Sequence, residues 1–321
     1  MRSPIGFVIV TYNRPEQTLF LCERLNAMFG EPPIAIHHDF SQSQLDTGAF
    51  PRNVRFVERW KRTRWGSITV VDAQLSALRL LYDSGDPEWF VPLSSFDYPI
   101  QTAEQIVEEL STTEFDGFMD SRRIKDPGTP FLHERLGELS FRHPRYHQFA
   151  FNRYVAIPML SPRIAERLNT PVERWVLRSP ALTERLTPFR GSFQCYGGDS
   201  WFTGNRRVAT LLLDETPLWR RLHDHYASRS VPEESFYHTL LGNVGGFKMC
   251  PKSLRYTDWR GCYAHPRTLG LDDIPRLLES SDHFARKFPF EPDLLQAVDA
   301  AVQERSKAAA TGVAPLSRYP A

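Results

Sequence analysis

The signatures of several common chemistries are missing from this 321-residue chain. No G-x-G-x-x-G follows its first apolar run, and no G-x-x-x-x-G-K, G-x-S-x-G or H-E-x-x-H occurs, which argues against dinucleotide hydride transfer, P-loop hydrolysis, serine esterase and zinc protease chemistry. Also absent is any Asp-x-Asp pair, an arrangement that could hold a metal against a diphosphate. The four cysteines (Cys22, Cys195, Cys250, Cys262) form no C-x-x-C, so they read as core or loop thiols of a reducing compartment. No run of about 18 apolar residues exists to span a membrane. The apolar stretch GFVIVTYN is too short for a signal peptide, so a cytoplasmic protein without a transmembrane segment is expected. With 39 basic and 38 acidic residues, the net charge of +1 gives no general attraction to nucleic acid or to an anionic membrane. An anionic ligand must be held by local charges.

What is present is an alternation of strands and helices. Gly6 to Tyr12 reads as a buried strand, Pro15 to Phe29 has helical spacing through Leu19, Cys22, Leu25 and Phe29, and Ile34 to Asp39 and Asn53 to Val57 read as further strands. Ser67 can cap a helix with an apolar face at Ile68, Val71, Leu75, Leu78 and Leu81. A strand over Trp89 to Ser95, a helix near Thr102 to Leu110 and a strand near Phe115 to Asp120 follow. The pattern predicts an α/β fold with a mostly parallel sheet covered on both faces. Ligands in such folds bind beyond the carboxyl ends of the strands, where Thr11, Tyr12, Asp39 and Ser94 to Asp97 fall. After about residue 120 the chain becomes Arg-, His- and Pro-rich loops, assigned to the substrate side, and the final SKAAATGVAPLSRYPA reads as a mobile tail.

Several segments of the second half admit two readings each. YGGDSWF (Tyr196 to Phe202) is either a Gly-Gly turn beside a core tryptophan or a loop that binds a sugar through its acid, hydroxyl and ring. SLRYTDW reads as a strand ending in Asp258 and Trp259, while AHPRTL and HFARKF bring Arg267, Arg286 and Lys287 among apolar residues, as ordinary surface or as a diphosphate site. His223, Asp224 and His225 read as a solvated helix face, since neighbours on a helix diverge. In VPEESFYHTLLGN, Pro232 with Glu233 and Glu234 makes a good helix N-terminus, and a catalytic carboxylate is the competing reading.

In order, IHHD, RWGS, PLSSFDYPI, YGGDSWF, PEESFYHT, RYTDW and FARKF resemble the core-2/I-branching enzyme family, over roughly residues 5 to 290. That family contains branching β-1,6-N-acetylglucosaminyltransferases and peptide O-xylosyltransferases, and PEESFYHT is especially similar to the xylosyltransferase form. The resemblance implies a GT-A fold and inverting transfer from a UDP-sugar to a hydroxyl of a glycan, glycolipid or polysaccharide precursor, with no cofactor and no metal. It puts the general base on Glu234, with Glu233 left to the helix, and the diphosphate on Arg267 and Lys287 with help from Arg286. It puts the nucleotide on Val10, Thr11, Tyr12, Asp39 and the segment Thr63, Arg64 and Trp65. Donor sugar or acceptor is expected at Asp97, Asp199, Ser200, Trp201, Asp258 and Trp259, although Gly-Asp-Ser-Trp here stands where xylosyltransferases tend to have Gly-Ser-Asp-Trp. One GT-A domain over 1–305 is expected, with a nucleotide-sugar half (1–120), an acceptor and catalytic half (121–305) and a flexible tail (306–321). Without the anchor and paired cysteines of eukaryotic members, a bacterial cytoplasmic enzyme is expected, with peripheral contact at the inner membrane face left open. The alternative is a non-catalytic nucleotide-sugar or glycan-binding protein on the same fold.

Overall fold

A computed structural model describes residues 3–124, 151–155, 187–260, 262 and 265–310. Strands β1 (Ile5–Thr11), β2 (Ile34–His38), β3 (Val54–Phe56) and β4 (Trp89–Leu93) form the parallel half of a seven-stranded sheet. With β6 (Gly117–Arg123), β7 (Tyr196–Asn205) and β8 (Met249–Cys250), the order is β3-β2-β1-β4-β7-β6-β8. Strand β7 runs antiparallel to both neighbours. A second, three-stranded sheet joins β5 (Tyr98–Pro99), β10 (Phe284–Arg286) and β9 (Arg255–Thr257).

The apolar runs are continuous because both faces of the main sheet are covered. In β1, Ile5, Phe7 and Ile9 enter one core with α1 (Pro15–Phe29) and α8 (Pro292–Ala310), while Val8 points into the opposite core beneath α2 (Ile68–Ser84). Strand β4 repeats this, with Trp89, Val91 and Leu93 on the first side and Phe90 on the second. The helix signals act as the sequence suggests. Pro15 opens α1, and Gly30 closes it at φ 68, its N–H donating to Asn26 O at 3.0 Å. Thr102 and Gln105 form a reciprocal capping box at the start of α3 (Ala103–Thr112).

Two expectations are corrected. YGGDSWF is neither turn nor loop but the start of β7, between β4 and β6 in the sheet order, and Gly198 serves close strand approach. A Cβ on Gly198 would lie 1.7 Å from Asp120 O, where the β6–β7 ladder shifts register between Met119 and Ser121. Of the expected tail, residues 306–310 instead continue α8, and the rest lies outside the described residues. Of the Arg-, His- and Pro-rich stretch after residue 120, residues 121–123 continue β6, and 125–150 lie outside the described residues. The second half of the chain thus adds β7 to the middle of the sheet rather than forming a separate layer beside the first half.

Candidate active site

The carboxyl ends of β1 and β4 meet in a ring of hydroxyls. Thr11 Oγ1 lies 3.0 Å from Ser95 Oγ, which also contacts Thr18 Oγ1 at 2.9 Å, so Thr11 braces the two strand ends. Val10 is half-buried, and Tyr12, 44% exposed, faces outward. Beyond β2, the fully buried Asp39 carboxylate accepts five hydrogen bonds, from the N–H and hydroxyl of Ser41, the amide of Gln42, and the N–H and hydroxyl of Thr63. Burial opposes its charge, but these donors hold the carboxyl well below the usual carboxylate range. Asp39 therefore orders the Thr63–Arg64–Trp65 loop before any ligand arrives. Trp65 stands 71% exposed, its ring 6.0 Å from that of His265. At the end of the loop, Gly66 O accepts the Val231 N–H at 2.9 Å, tying it to the turn that carries the two glutamates.

Opposite this loop, the end of β10 delivers cations. Arg286 lies 4.1 Å from the Trp201 ring centroid, with Nε 3.6 Å from Asp97 Oδ1. Burial lowers the Arg286 pKa, while Asp97 and then Asp199 support its charge. Asp199 and Trp201 both approach Arg286 from β7, with Ser200 between them, where the β6–β7 ladder shifts register. Asp97 is itself held by the Ser94 N–H at 2.8 Å and the Ser94 hydroxyl at 2.5 Å, both on Oδ2. Burial and then Arg286 lower the Lys287 pKa, and burial followed by Lys287 and Arg286 lowers that of His265. Such mutual depression means positive groups crowded at one place, which suits a polyanion.

Arg267 belongs to an adjacent network. Its Nε and Nη2 donate to Asp258 Oδ2 at 3.0 and 2.7 Å, and Nη2 also reaches Asp273. Arg260 grips Asp258 from the other side, with Nη2 2.5 Å from Oδ2. The Asp258 side chain is fully buried, so it stands behind the arginines as their anchor rather than facing a sugar, the role expected for it. Arg267 keeps 35% of its side chain exposed. The backbone O of the half-buried Trp259 caps the turn to Cys262, accepting its N–H at 3.0 Å.

The segment PEES does not begin one helix. Pro232–Glu234 is a single 3-10 turn, entered through Val231 at φ 52, and α6 (Phe236–Asn243) starts only after Ser235. The turn separates the two carboxyls. Glu234 keeps 38% of its side chain exposed, and its Oε2 accepts the Tyr154 hydroxyl at 2.8 Å and Arg153 Nη1 at 3.3 Å. Burial raises its pKa, whereas Arg153 and Tyr154 pull it down. Glu233 is the buried one, at 8% exposure, and its Oε2 has no partner among the described residues. Burial, then the charge of Glu234, pushes its pKa to about 8. It is not a solvated helix-start residue. A carboxyl raised this way favours the folded state fully below its unfolded pKa, and that contribution is lost as pH climbs toward 8. Glu233→Gln should therefore melt several degrees above wild type at pH 8, with the difference shrinking toward pH 5. A pH-independent difference in thermal unfolding would contradict the assignment.

Two residues at this carboxylate carry no sequence signal. Arg153 and Tyr154 sit in a π-helical turn (Phe151–Val155), inside a stretch without hydrophobic periodicity. The reading of His223 and His225 as a solvated face is also corrected. His223 Nε2 pairs with Asp72 at 2.7 Å with its ring stacked on Trp219, and His225 Nε2 donates to Tyr154 O at 2.6 Å.

The profile of the Core-2/I-Branching enzyme family matches residues 5–135 and 160–279. Among curated proteins, the chain is 27% identical over 256 residues to xylosyltransferase 1 of Homo sapiens, covering 74% of this chain and 23% of that one. It is 22% identical over 295 residues to the β-glucuronosyltransferase GlcAT14B of Arabidopsis thaliana, covering 83% of this chain and 58% of that one. The chain thus spans about a quarter of the length of the xylosyltransferases it matches. With the family profile running through both the strand-end loops and the glutamate turn, this chain belongs to the Core-2/I-Branching enzyme family of glycosyltransferases.

Proposed function

We propose that this protein is an inverting, metal-independent glycosyltransferase of the GT-A type that moves a sugar from a UDP-sugar to a hydroxyl of a glycan, glycolipid or polysaccharide precursor. The observation that carries the reading is the placement of Glu234. Its half-exposed carboxylate stands on a turn hydrogen-bonded to the Trp65 loop, and that loop touches the cationic end of β10 through His265. In the reaction, the acceptor oxygen attacks the anomeric carbon as Glu234 takes its proton. The bond from that carbon to the UDP oxygen breaks, and its electron pair leaves with the diphosphate. Lys287, Arg286 and the exposed edge of Arg267 neutralise the charge that develops, the work a metal does elsewhere. Tyr12, Thr63 and Trp65 line the nucleotide end, and Asp97, Asp199 and Trp201 surround Arg286 where the donor sugar would lie.

UDP-xylose, UDP-glucuronic acid and UDP-N-acetylglucosamine, incubated with the protein in EDTA, test this directly. Release of UDP from at least one is expected, slowly with water as acceptor. An absolute requirement for Mn²⁺ would remove the cationic replacement from the mechanism. Calorimetric binding of UDP with every donor left intact would instead favour a non-catalytic binding protein.

A further inference from the structure

The chemistry of a base depends on which of its oxygens is free. Among the described residues, both contacts to the Glu234 carboxylate fall on Oε2, from Tyr154 at 2.8 Å and from Arg153 at 3.3 Å. The turn that supplies them is itself held from behind. Tyr154 O accepts His225 Nε2 at 2.6 Å and Arg229 Nε at 3.3 Å, both from the segment just before the glutamate turn. His225 stays neutral, since burial followed by Arg229 lowers its pKa to about 3, so the ring donates from Nε2 and turns Nδ1 toward Arg229. Tyr154 is 2% exposed and its ring is wedged near Gly197, where an added Cβ would meet it at 3.3 Å. The backbone and ring of Tyr154 are thus held, and its hydroxyl donates to Glu234 Oε2.

We propose that Tyr154 and Arg153 are positioning residues for the base: they pin Glu234 Oε2, leave Oε1 as the atom that takes the acceptor proton, and favour the charged carboxylate by donating to it. This rests on the reading of Glu234 as the base. Burial disfavours the charged form that a base needs, and the two donors oppose that. Several other ionisable groups occupy the elements packed on this turn. Glu233 lies on the turn itself, Asp72 on α2, Tyr196 and Asp199 on β7, and Tyr237 and His238 on α6. Burial keeps Tyr237 neutral with its pKa well above the ordinary value, and burial holds His238 neutral by lowering its pKa to about 4. That leaves Arg153 as the cation in contact with the carboxylate among the described residues.

The test is the pH profile of UDP release from whichever donor sugar is turned over, with Tyr154→Phe, Arg153→Gln and Arg153→Lys beside wild type. Loss of a donor to the charged form raises the carboxyl pKa. The acid limb of kcat/KM should therefore move up by about one pH unit in Tyr154→Phe and Arg153→Gln, as expected for one lost charge-assisted hydrogen bond. Arg153→Lys should restore most of the limb, while KM for the donor stays within about twofold throughout, since neither residue is assigned to the donor. A fall in kcat with an unmoved acid limb would make both residues merely structural and overturn the proposal. Phe keeps the shape of Tyr, so Tyr154→Phe is expected to melt within a few degrees of wild type. If Glu234→Gln is inactive while the limb stays put in Tyr154→Phe, this inference alone fails. If Glu234→Gln is active, the assignment of the base fails with it.

Discussion

Glu234→Gln is expected to lower the turnover of a UDP-sugar by about 10²–10⁴-fold while UDP still binds with the wild-type Kd. The substitution keeps the size of the side chain and its contact with Tyr154, and removes the atom that can accept a proton. A purely structural role would show the opposite pattern, a lower melting temperature with turnover reduced in proportion. Glu233→Gln is the control one residue away. Its buried carboxyl lacks the solvent-facing edge that an acceptor hydroxyl needs, so turnover should fall by less than about tenfold, far short of what losing a general base costs. Equal losses in the two variants would show that the turn, and not one carboxylate, is what activity requires.

Removal of the cations should separate binding from folding. Lys287→Ala deletes a half-buried ammonium that forms no ion pair among the described residues, and should weaken UDP by about 10- to 100-fold, the worth of one desolvated charge-assisted contact, with little change in melting. Arg267→Ala is a different experiment. It also strips a partner from Asp258, which is fully buried, and from Asp273. A stability loss of about 2–4 kcal/mol should accompany the weaker binding, below the full cost of breaking a buried pair because Arg260 still holds Asp258. Calorimetry with UDP, paired with thermal unfolding, reads both quantities. If Lys287→Ala binds UDP as wild type does, the end of β10 is not the diphosphate site.

Both experiments depend on a division of labour that short stretches of sequence show unevenly. The cationic end of β10 is legible in HFARKF because Arg286 and Lys287 interrupt an apolar segment. Whether Arg267 of AHPRTL is free to join them at a ligand is not, since that depends on Asp258 and Asp273 arriving from other segments to claim it. The two glutamates show the same limit. Adjacent carboxylates after a proline look equivalent at a helix start, and the 3-10 turn, which rotates one inward and one outward, is set by Val231 being tied to Gly66 some 160 residues earlier.

What the sequence determined by itself are the features whose causes are local: the α/β alternation, the start of α1 at Pro15 and the capping box at Thr102, each set by periodicity, by proline's fixed backbone angle or by a side chain bonding to nearby backbone; Ser67 precedes α2 but makes no side-chain cap, its hydroxyl contacting Thr69 instead. The order of motifs was also enough to point to the family. Tertiary structure alone decided that Gly197 and Gly198 lie inside a central strand, where β6 passes too close for a side chain on Gly198. It alone placed Arg153 and Tyr154 against Glu234. A contact between residues about 80 positions apart leaves no periodic trace in the chain, because the energy that selects it comes from burial and charge pairing that exist only once the elements have packed.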